Sequence, residues 1–312
     1  EGEQVKARKA MLQAERISRR DGAVQLWLGA DRLRAGKIAS GLRHFDLMIR
    51  ADGEAADAVI PRMALIILAP EGRRHLAPYI RENNPWLSHL FQVAVTDLPR
   101  AAPMAQLLID RRQKAPDVAN ARFVYSTLMT RLIAEGSYSS ALRLYPLLPG
   151  SNRDSLRNVS GTTDGKLDQG YPPFIWAFSD SGAQGSEFVS VEGGGTGIDI
   201  FGSPGTIGVA AVKLVAIKPG DALYWQVADR ASNLDGSATL VATCLAGPSA
   251  KKKTESANML SASVPQNKML KMAMPSGCDL VRLDMRVAGG IGRDPTNLTV
   301  SALKLARDTN AK

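Results

Sequence analysis

The chain has 312 residues, which is more than one ordinary hydrophobic core organises and is comfortable for two domains. A hydrophobic fraction of 45% excludes a disordered chain, and no run of about 18 apolar residues is present to cross a membrane. The net charge is +9, and residues 1–150 hold most of it, with 22 Lys and Arg against 15 Asp and Glu. This surplus favours acidic partners without choosing among them, whereas an aromatic content of 5% argues against base stacking.

From Gln4 to about Leu148 the pattern is helical, with Ala, Leu, Arg and Met dominant and Gly and Pro as punctuation. Residues 4–20 predict a leading amphipathic helix. After it, Gly36 and Gly136 each fit the tight turn of a helical hairpin. Apolar residues precede both turns, and a small, an aromatic and an apolar residue follow each at the same offsets. The residues are Leu28, Gly29, Gly41, Phe45 and Met48 in one copy and Leu128, Leu132, Ala141, Tyr145 and Leu148 in the other.

This spacing resembles the tetratricopeptide repeat, in which the small residue lets two helices approach and the aromatic fills the groove beside it. The tryptophan typical of that repeat is missing from both copies. Gly72 with Ala77 fits a weaker turn between them, and Pro99–Asp117 a weaker one still. The resemblance implies an α-solenoid of three or four tetratricopeptide-like hairpins over residues 20–150, within a domain at 1–150.

The sequence pattern changes after Pro149–Gly170. This segment is rich in Gly, Ser, Asn, Asp and Thr, which predicts a linker over residues 151–170. From about Tyr171, short apolar runs alternate with turn residues every eight to twelve positions, which predicts an antiparallel β-sandwich over residues 171–312. The predicted strands are Phe174–Phe178, Glu187–Val191, Gly197–Phe201, Val209–Ile217, Ala222–Ala228, Thr239–Leu245, Lys268–Met274, Leu280–Val287 and Leu298–Leu305.

The segment Lys213–Val227 predicts a strand, a Pro-Gly turn and a strand, and Met274–Val287 predicts a loop with a cysteine followed by a half-buried strand. This order is similar to the jelly-roll sandwiches of carbohydrate-binding modules. The resemblance rests on the spacing of the predicted strands and extends over about 135 residues. It implies that the second half binds a glycan or has become a structural module that packs against another subunit.

No group of residues typical of an active site is present, so we expect no enzyme, no cofactor and no metal site. The three histidines all lie in the first half, and their spacing predicts surface or groove positions on helices, so the second half cannot form a Ser-His or Cys-His pair. Gly193–Gly197 is followed by the predicted strand Ile198–Phe201 instead of a helix. It therefore predicts a turn between strands and not a phosphate loop.

A glycan site in a sandwich uses aromatic faces together with amides, carboxylates or guanidinium groups. The alternation in Ala222–Ala228 predicts that Trp225 lies in the core and that Tyr224 and Gln226 lie on the other face. Trp176 alternates with Phe174 and Phe178, which again indicates the core. The candidate ligand-binding residues are Tyr224, Gln226, Asp229, Arg230 and Asn233.

The two cysteines, Cys244 and Cys278, are too few for a disulfide scaffold, and their spacing fits no zinc motif. They either form one disulfide in an oxidising compartment or remain two buried thiols. The jelly-roll resemblance implies that they lie on neighbouring strands, close enough to bridge.

Together the two resemblances predict a non-enzymatic accessory or scaffold protein of the bacterial cell envelope, periplasmic or membrane-anchored, that serves envelope or exopolysaccharide assembly. The helical repeats would bind a partner protein, the sandwich would bind a polysaccharide or a partner subunit, and no specific nucleic acid is expected. The start at Glu1 suggests a removed signal peptide or membrane anchor, with artificial trimming as the alternative. The alternative functions are a purely structural subunit of a membrane-associated complex and a binder of an anionic polymer through the basic half.

Overall fold

The computed structural model describes residues 2–151, 153–163, 166–192, 194–230 and 235–308. The chain divides into two compact units, Glu1–Pro149 and Gly150–Lys312. The first is helical and the second is built from antiparallel β-sheets, so the predicted fold class is confirmed.

The first unit holds nine α-helices among its described residues. They are α1 (Gly2–Ile17), α2 (Gly22–Arg34), α3 (Ile38–Ala51), α4 (Ala56–Ile66), α5 (Pro70–Leu76), α6 (Leu87–Asp97), α7 (Ala102–Asp110), α8 (Ala121–Ala134) and α9 (Tyr138–Leu144). The leading helix α1 is tied to α2 by the ion pair of Arg8 with Asp31, whose closest atoms are 2.7 Å apart. None of the helices within the described part of the chain is long and apolar enough to cross a membrane.

The first and last hairpins have the same turn. Gly36 and Gly136 adopt φ values of +71° and +70°, a conformation that favours glycine. Beyond each glycine, the next backbone N–H donates to a carbonyl in the last turn of the first helix, in both copies over 2.8 Å. The helices of the first hairpin approach so closely that a Cβ atom at Gly29 would lie 2.4 Å from the Phe45 ring. The predicted roles of these residues as turn and contact positions therefore match the structure.

The two middle hairpins differ from the predicted alignment. Gly72 lies inside α5 and not at a turn, because α4 has already ended at Ile66 and the chain turns before Pro70. A Cβ atom at Gly72 would lie 2.0 Å from the Ile66 carbonyl oxygen, so this glycine permits a close approach after the turn. The weaker repeat at Pro99–Asp117 contains only the second helix of its hairpin, α7. Membership of the tetratricopeptide family stays a prediction.

The second unit contains two five-stranded antiparallel sheets and one small ribbon among its described residues. The strands are β1 (Thr162–Thr163), β2 (Lys166–Leu167), β3 (Ala177–Phe178), β4 (Gln184–Ser190), β5 (Thr196–Gly202), β6 (Ile207–Ala216), β7 (Asp221–Arg230), β8 (Ser237–Ala246), β9 (Lys253–Glu255), β10 (Leu270–Ala273), β11 (Leu280–Ala288) and β12 (Thr296–Arg307). The first sheet has the order β10-β7-β12-β5-β4, and the second has the order β3-β6-β11-β8-β9.

The core of the second unit lies between the inner faces of the two sheets. Alternate residues of each strand enter it, as the period of two requires. In β7 these are Leu223, Trp225 and Val227, and in β11 they include Leu283 and Met285. The prediction that Trp225 and Trp176 belong to the core agrees with their exposed fractions of 3% and 5%.

Residues that the composition assigned to a linker belong to this second unit. Val159 is buried in the sandwich core, and its carbonyl oxygen accepts a hydrogen bond of 2.9 Å from Trp176 Nε1. Arg157 donates to the carboxylate of Asp221 over 2.9 Å. Polar composition alone predicted a linker because these contacts involve residues far along the chain.

Two strand predictions also need correction. The predicted strand Phe174–Phe178 is reduced to β3, because Phe174 ends a turn in which its backbone N–H donates to the Tyr171 carbonyl oxygen over 3.1 Å. The predicted strands also omit β9, a short strand at the edge of the second sheet that begins at Lys253. Gly194 and Gly195, by contrast, lie where predicted, between the paired strands β4 and β5, whereas Thr196 and Gly197 already belong to β5 and Gly193 lies outside the described residues.

The structure joins Cys244 and Cys278 by a disulfide, with Cα atoms 5.8 Å apart. Cys244 lies in β8, and Cys278 lies two residues before β11, which pairs with β8. The two residues are therefore close enough to bridge, as the jelly-roll resemblance implied, but Cys278 lies before its strand and not in it.

Candidate functional site

A row of polar residues crosses four strands on the outer face of the first sheet. Thr299 in β12 lies opposite Asp229 in β7 on one side and opposite Asp199 in β5 on the other. Asp199 in turn lies opposite Glu187 in β4. Directly paired residues of antiparallel strands share a face, so the four side chains stand side by side. The neighbours of Asp199 and Thr299 along their strands are buried core residues: Ile198, Ile200, Leu298 and Val300.

Three carboxylates in this row make it strongly acidic. Partial burial raises the pKa of Asp199, and the negative charges of Glu187 and Asp229 raise it further. The Thr299 hydroxyl acts in the opposite direction, because it donates a hydrogen bond of 2.8 Å to the Asp199 carboxylate. Asp199 is therefore held by one neighbour and repelled by two, while Glu187 and Asp229 remain exposed.

Next to the row, an aromatic and an amide side chain occupy the same face. Tyr224 and Gln226 alternate with buried residues of β7 and are both half-buried. Gln226 lies opposite Ser301, and Tyr224 lies between Lys271 of β10 and Lys304 of β12. The Lys271 ammonium is bound to Asp308 at 2.6 Å. We call the following outward residues of the first sheet the polar face: Tyr224, Gln226, Asp229, Thr299, Asp199 and Glu187.

The structure brings three of the five predicted ligand-binding residues together on the polar face: Tyr224, Gln226 and Asp229. Arg230 is not available for a ligand there, because it lies opposite Leu298, a core residue. Its guanidinium donates to the carbonyl oxygens of Ser261 at 2.7 Å and Val264 at 3.0 Å and so holds a loop. Asn233 lies outside the described residues.

A second candidate lies between the sheets, at the edge where β9 and β10 meet. Its volume is about 410 Å³. Thr254 of β9 lies opposite the core residue Ala242, and Leu270 of β10 lies opposite Trp225, so these lining side chains point toward the interior. We call this cavity the edge cleft, lined by Trp225, Thr254, Glu255, Ser256, Ala257, Met259, Val264, Leu270, Lys271, Met272 and Ala273.

Two buried polar atoms among the described residues of the edge cleft have no hydrogen-bond partner. They are the Trp225 Nε1–H group and the Thr254 hydroxyl oxygen. Such atoms are rare in folded proteins, because each loses its bonds to water without gaining any in return. The indole group of Trp176, by contrast, is bonded to the Val159 carbonyl.

Each of the three histidines lies near a polar side chain of the helical unit. His44 is buried, its Nδ1 lies 2.7 Å from Gln25 Oε1, and burial lowers its pKa. His75 and His89 lie near the exposed carboxylates of Glu71 and Asp57. No group of three His, Cys, Asp or Glu residues that could hold a metal ion occurs among the described residues.

No protein-family model matches the chain. No curated protein matches it either. Solved structures that it resembles include β-sandwich carbohydrate-binding modules. TmCBM61 in complex with beta-1,4-galactotriose is 12% identical with a TM-score of 0.28, and the match covers 43% of this chain and 88% of that chain. A CBM4 structure is 10% identical with a TM-score of 0.27, over 43% of this chain and 94% of that chain. A structure of promiscuous carbohydrate-binding modules from the β-sandwich super family is 9% identical with a TM-score of 0.30, over 49% and 61%. At such TM-scores the likeness assigns neither a ligand nor an activity to this chain.

Proposed function

We propose that the second unit binds a glycan across the polar face. The observation that carries this proposal is the four-strand row Asp229–Thr299–Asp199–Glu187 beside Tyr224. Carboxylates accept hydrogen bonds from sugar hydroxyl groups, and these charge-assisted bonds are stronger than neutral ones. The ring of Tyr224 offers an apolar surface for a pyranose ring, and its hydroxyl and the Gln226 amide add polar contacts.

The charge of the polar face favours an uncharged glycan. Asp199 is already destabilised by Glu187 and Asp229, so a uronic acid or sulfate placed on the row would add a fourth negative charge. A neutral sugar instead replaces the water molecules on the carboxylates with hydroxyl donors. The net positive charge of the whole chain does not alter this preference, because salt screens charges beyond about 10 Å.

Affinity electrophoresis of the whole chain tests the proposal. The gels would contain a neutral β-glucan, a neutral galactan, or an acidic polysaccharide such as alginate. We expect at least one neutral polysaccharide to retard the protein and alginate to retard it less at 150 mM salt. Retardation by alginate alone would contradict the proposal and favour the alternative function, in which the basic helical unit binds an anionic polymer.

Three substitutions locate the site. Tyr224→Ala removes the aromatic surface and should weaken retention by about two- to tenfold, since a ring contact contributes about 0.5–1.5 kcal/mol. Asp199→Asn removes one charged acceptor and should also weaken it. Thr243→Ala is the matched control, because Thr243 lies on the outer face of the second sheet, opposite Arg282. Equal retention of Tyr224→Ala and Thr243→Ala would exclude the polar face as the site.

We further propose that the protein has an accessory, non-catalytic role in the bacterial cell envelope, with the helical unit as the docking module for a partner protein. The disulfide supports an oxidising compartment such as the periplasm. Consecutive helical hairpins present a continuous surface to a partner, which supports the docking role. Pull-down with the helical unit from a periplasmic extract, compared with a cytoplasmic extract, tests both parts. Equal capture of cytoplasmic proteins would contradict the proposed compartment.

A further inference from the structure

The edge cleft has the composition of a small-molecule site. Its volume of about 410 Å³ lies within the usual range for ligand pockets, about 300–1,000 Å³. Large apolar side chains form its inner walls: Trp225, Met259, Val264, Leu270 and Met272. A pocket of this kind gains affinity from apolar contact and specificity from a few polar atoms. The cleft is formed from both sheets, and its described residues do not include those of the polar face.

The polar atoms of the cleft define what a ligand must carry. Trp225 is 97% buried, since its exposed fraction is 3%, and its Nε1–H group can only donate. It has no acceptor in the described part of the protein, and the Thr254 hydroxyl likewise has no partner. A ligand that forms the missing hydrogen bonds of both groups must therefore present an acceptor oxygen to the indole N–H. The Thr254 hydroxyl can either donate a hydrogen bond to that ligand or accept one from it.

The charges at the mouth exclude an anionic ligand. Lys271 is the only cation among the described lining residues, and its ammonium is already bound to Asp308 at 2.6 Å. Glu255, the other charged lining residue, is exposed and would repel a carboxylate. The acceptor oxygen is therefore that of an uncharged group such as a ketone or an ester carbonyl.

We propose that the edge cleft binds a compact apolar group with a carbonyl oxygen, and that Trp225 Nε1–H donates to this oxygen. This site is separate from the polar face and does not depend on glycan binding. The two unpartnered atoms are almost inaccessible to water, so entry requires the lining side chains to move. Met259 and Met272 lower the free energy that this movement requires, because methionine has an unbranched, adaptable side chain.

Cyclohexanone and methylcyclohexane form a matched pair of probes, since they have similar shapes and only the first has a carbonyl oxygen. The assay follows the indole N–H signals of the whole chain by NMR while each probe is added. We expect cyclohexanone to shift the Trp225 signal saturably and to leave the Trp176 signal unchanged. Cyclohexanone should bind about fivefold or more tightly than methylcyclohexane, the ratio expected from one hydrogen bond.

Variants separate a ligand site from imperfect packing. Thr254→Val keeps the shape of the side chain and removes its hydroxyl, so it should reduce the preference for cyclohexanone. Ala257→Leu places bulk at the mouth and should weaken both probes. Trp225→Phe should abolish the preference for cyclohexanone. If Trp225→Phe does not fold, Thr254→Val still tests whether the cleft binds the carbonyl group. No saturable shift, or equal affinity for the two probes, would overturn the proposal. Glycan retention should be unchanged in Thr254→Val, so the two sites can fail independently.

Discussion

Lys213 is a lysine buried inside the β-sandwich, and it makes the stability of this unit depend on pH. It lies opposite the core residue Leu283 in the ladder of β6 and β11 and is 0% exposed. Its ammonium donates a hydrogen bond of 2.5 Å to the Phe174 carbonyl oxygen. Burial lowers the pKa of Lys213 to about 8, although the negative charge of Asp168 acts to raise it.

The sign of the effect follows from where the proton is bound. Below pH 8 both the folded and the unfolded chain carry the proton, so the full cost of burying the charge is present. Between pH 8 and 10.5 the folded chain has lost the proton while the unfolded chain keeps it, and stability rises with pH. The difference of 2.5 between the two pKa values corresponds to about 3 kcal/mol.

Urea denaturation of the wild type and of Lys213→Met at pH 7, 8, 9, 10 and 10.5 measures this rise. Other groups that titrate in this range contribute equally to both proteins and cancel in the difference. We expect the free energy of unfolding of the wild type to gain about 3 kcal/mol relative to the variant across this range. Loss of the hydrogen bond from Lys213 to the Phe174 carbonyl in the variant adds a constant that does not change with pH.

Two controls make this measurement specific to Lys213. The transition of the sandwich is identified as the one that reduction of the disulfide shifts at pH 7, because both cysteines lie in the second unit. Lys304→Met replaces an exposed lysine of the same unit and serves as the reference substitution for Lys213→Met. A flat difference for Lys213→Met would refute the assignment of a lowered pKa to this residue.

Two further predictions concern the close helix contact and the disulfide. Gly29→Ala places a methyl group against the Phe45 ring and should cost about 1–3 kcal/mol of unfolding free energy, whereas Gly22→Ala, with no atom within 4 Å of its new Cβ, should be neutral or slightly stabilising by thermal denaturation. Equal melting temperatures for the two variants would contradict the close approach. Replacing Cys244 and Cys278 together by Ala should cost about 4 kcal/mol, the chain-entropy estimate for a separation of 34 residues. Two free thiols in the denatured, unreduced wild type would exclude the bridge.

The alternation of apolar residues predicted part of the polar face from the sequence. In β7 it placed Trp225 in the core and Tyr224 and Gln226 on the outer face, and the structure agrees. This succeeds because the period of two is a property of a single strand, whichever strands lie beside it. The same alternation, with Ile198 and Ile200 in the core, also predicts that Asp199 lies on the outer face.

The row of carboxylates could not be assembled from the sequence in the same way. Asp199 and Thr299 are 100 residues apart and become neighbours only through the order of strands in the first sheet. That order is not sequential, and no local pattern specifies which strand pairs with which. The edge cleft was missed for a related reason. Thr254 lies in β9, whose three residues are too few to show a period.

Alternation could not have shown which way Arg230 faces, because strict alternation does not hold at the end of β7. Val227 lies opposite Val300, but Asp229 lies opposite Thr299, so β7 has one extra residue, Ala228, in this stretch. Such a β-bulge reverses which residues face outward beyond it. Strict alternation would turn Asp229 inward and Arg230 outward, whereas the structure has the opposite.

The same bulge makes the polar face possible. Without the extra residue, the position opposite Thr299 would belong to Ala228, and the row would lose its carboxylate on β7. A second irregularity lies in β12, between Ser301 and Lys304, where Ala302 has a φ of +51°. The two bulges lie at either end of the stretch that holds Gln226 and Ser301. Bulges are concentrated near functional sites because they redirect single side chains without changing the sheet around them. The bulge that directs the side chain of Asp229 outward also directs the side chain of Arg230 inward. There the Arg230 guanidinium donates to the Ser261 carbonyl oxygen and holds that loop.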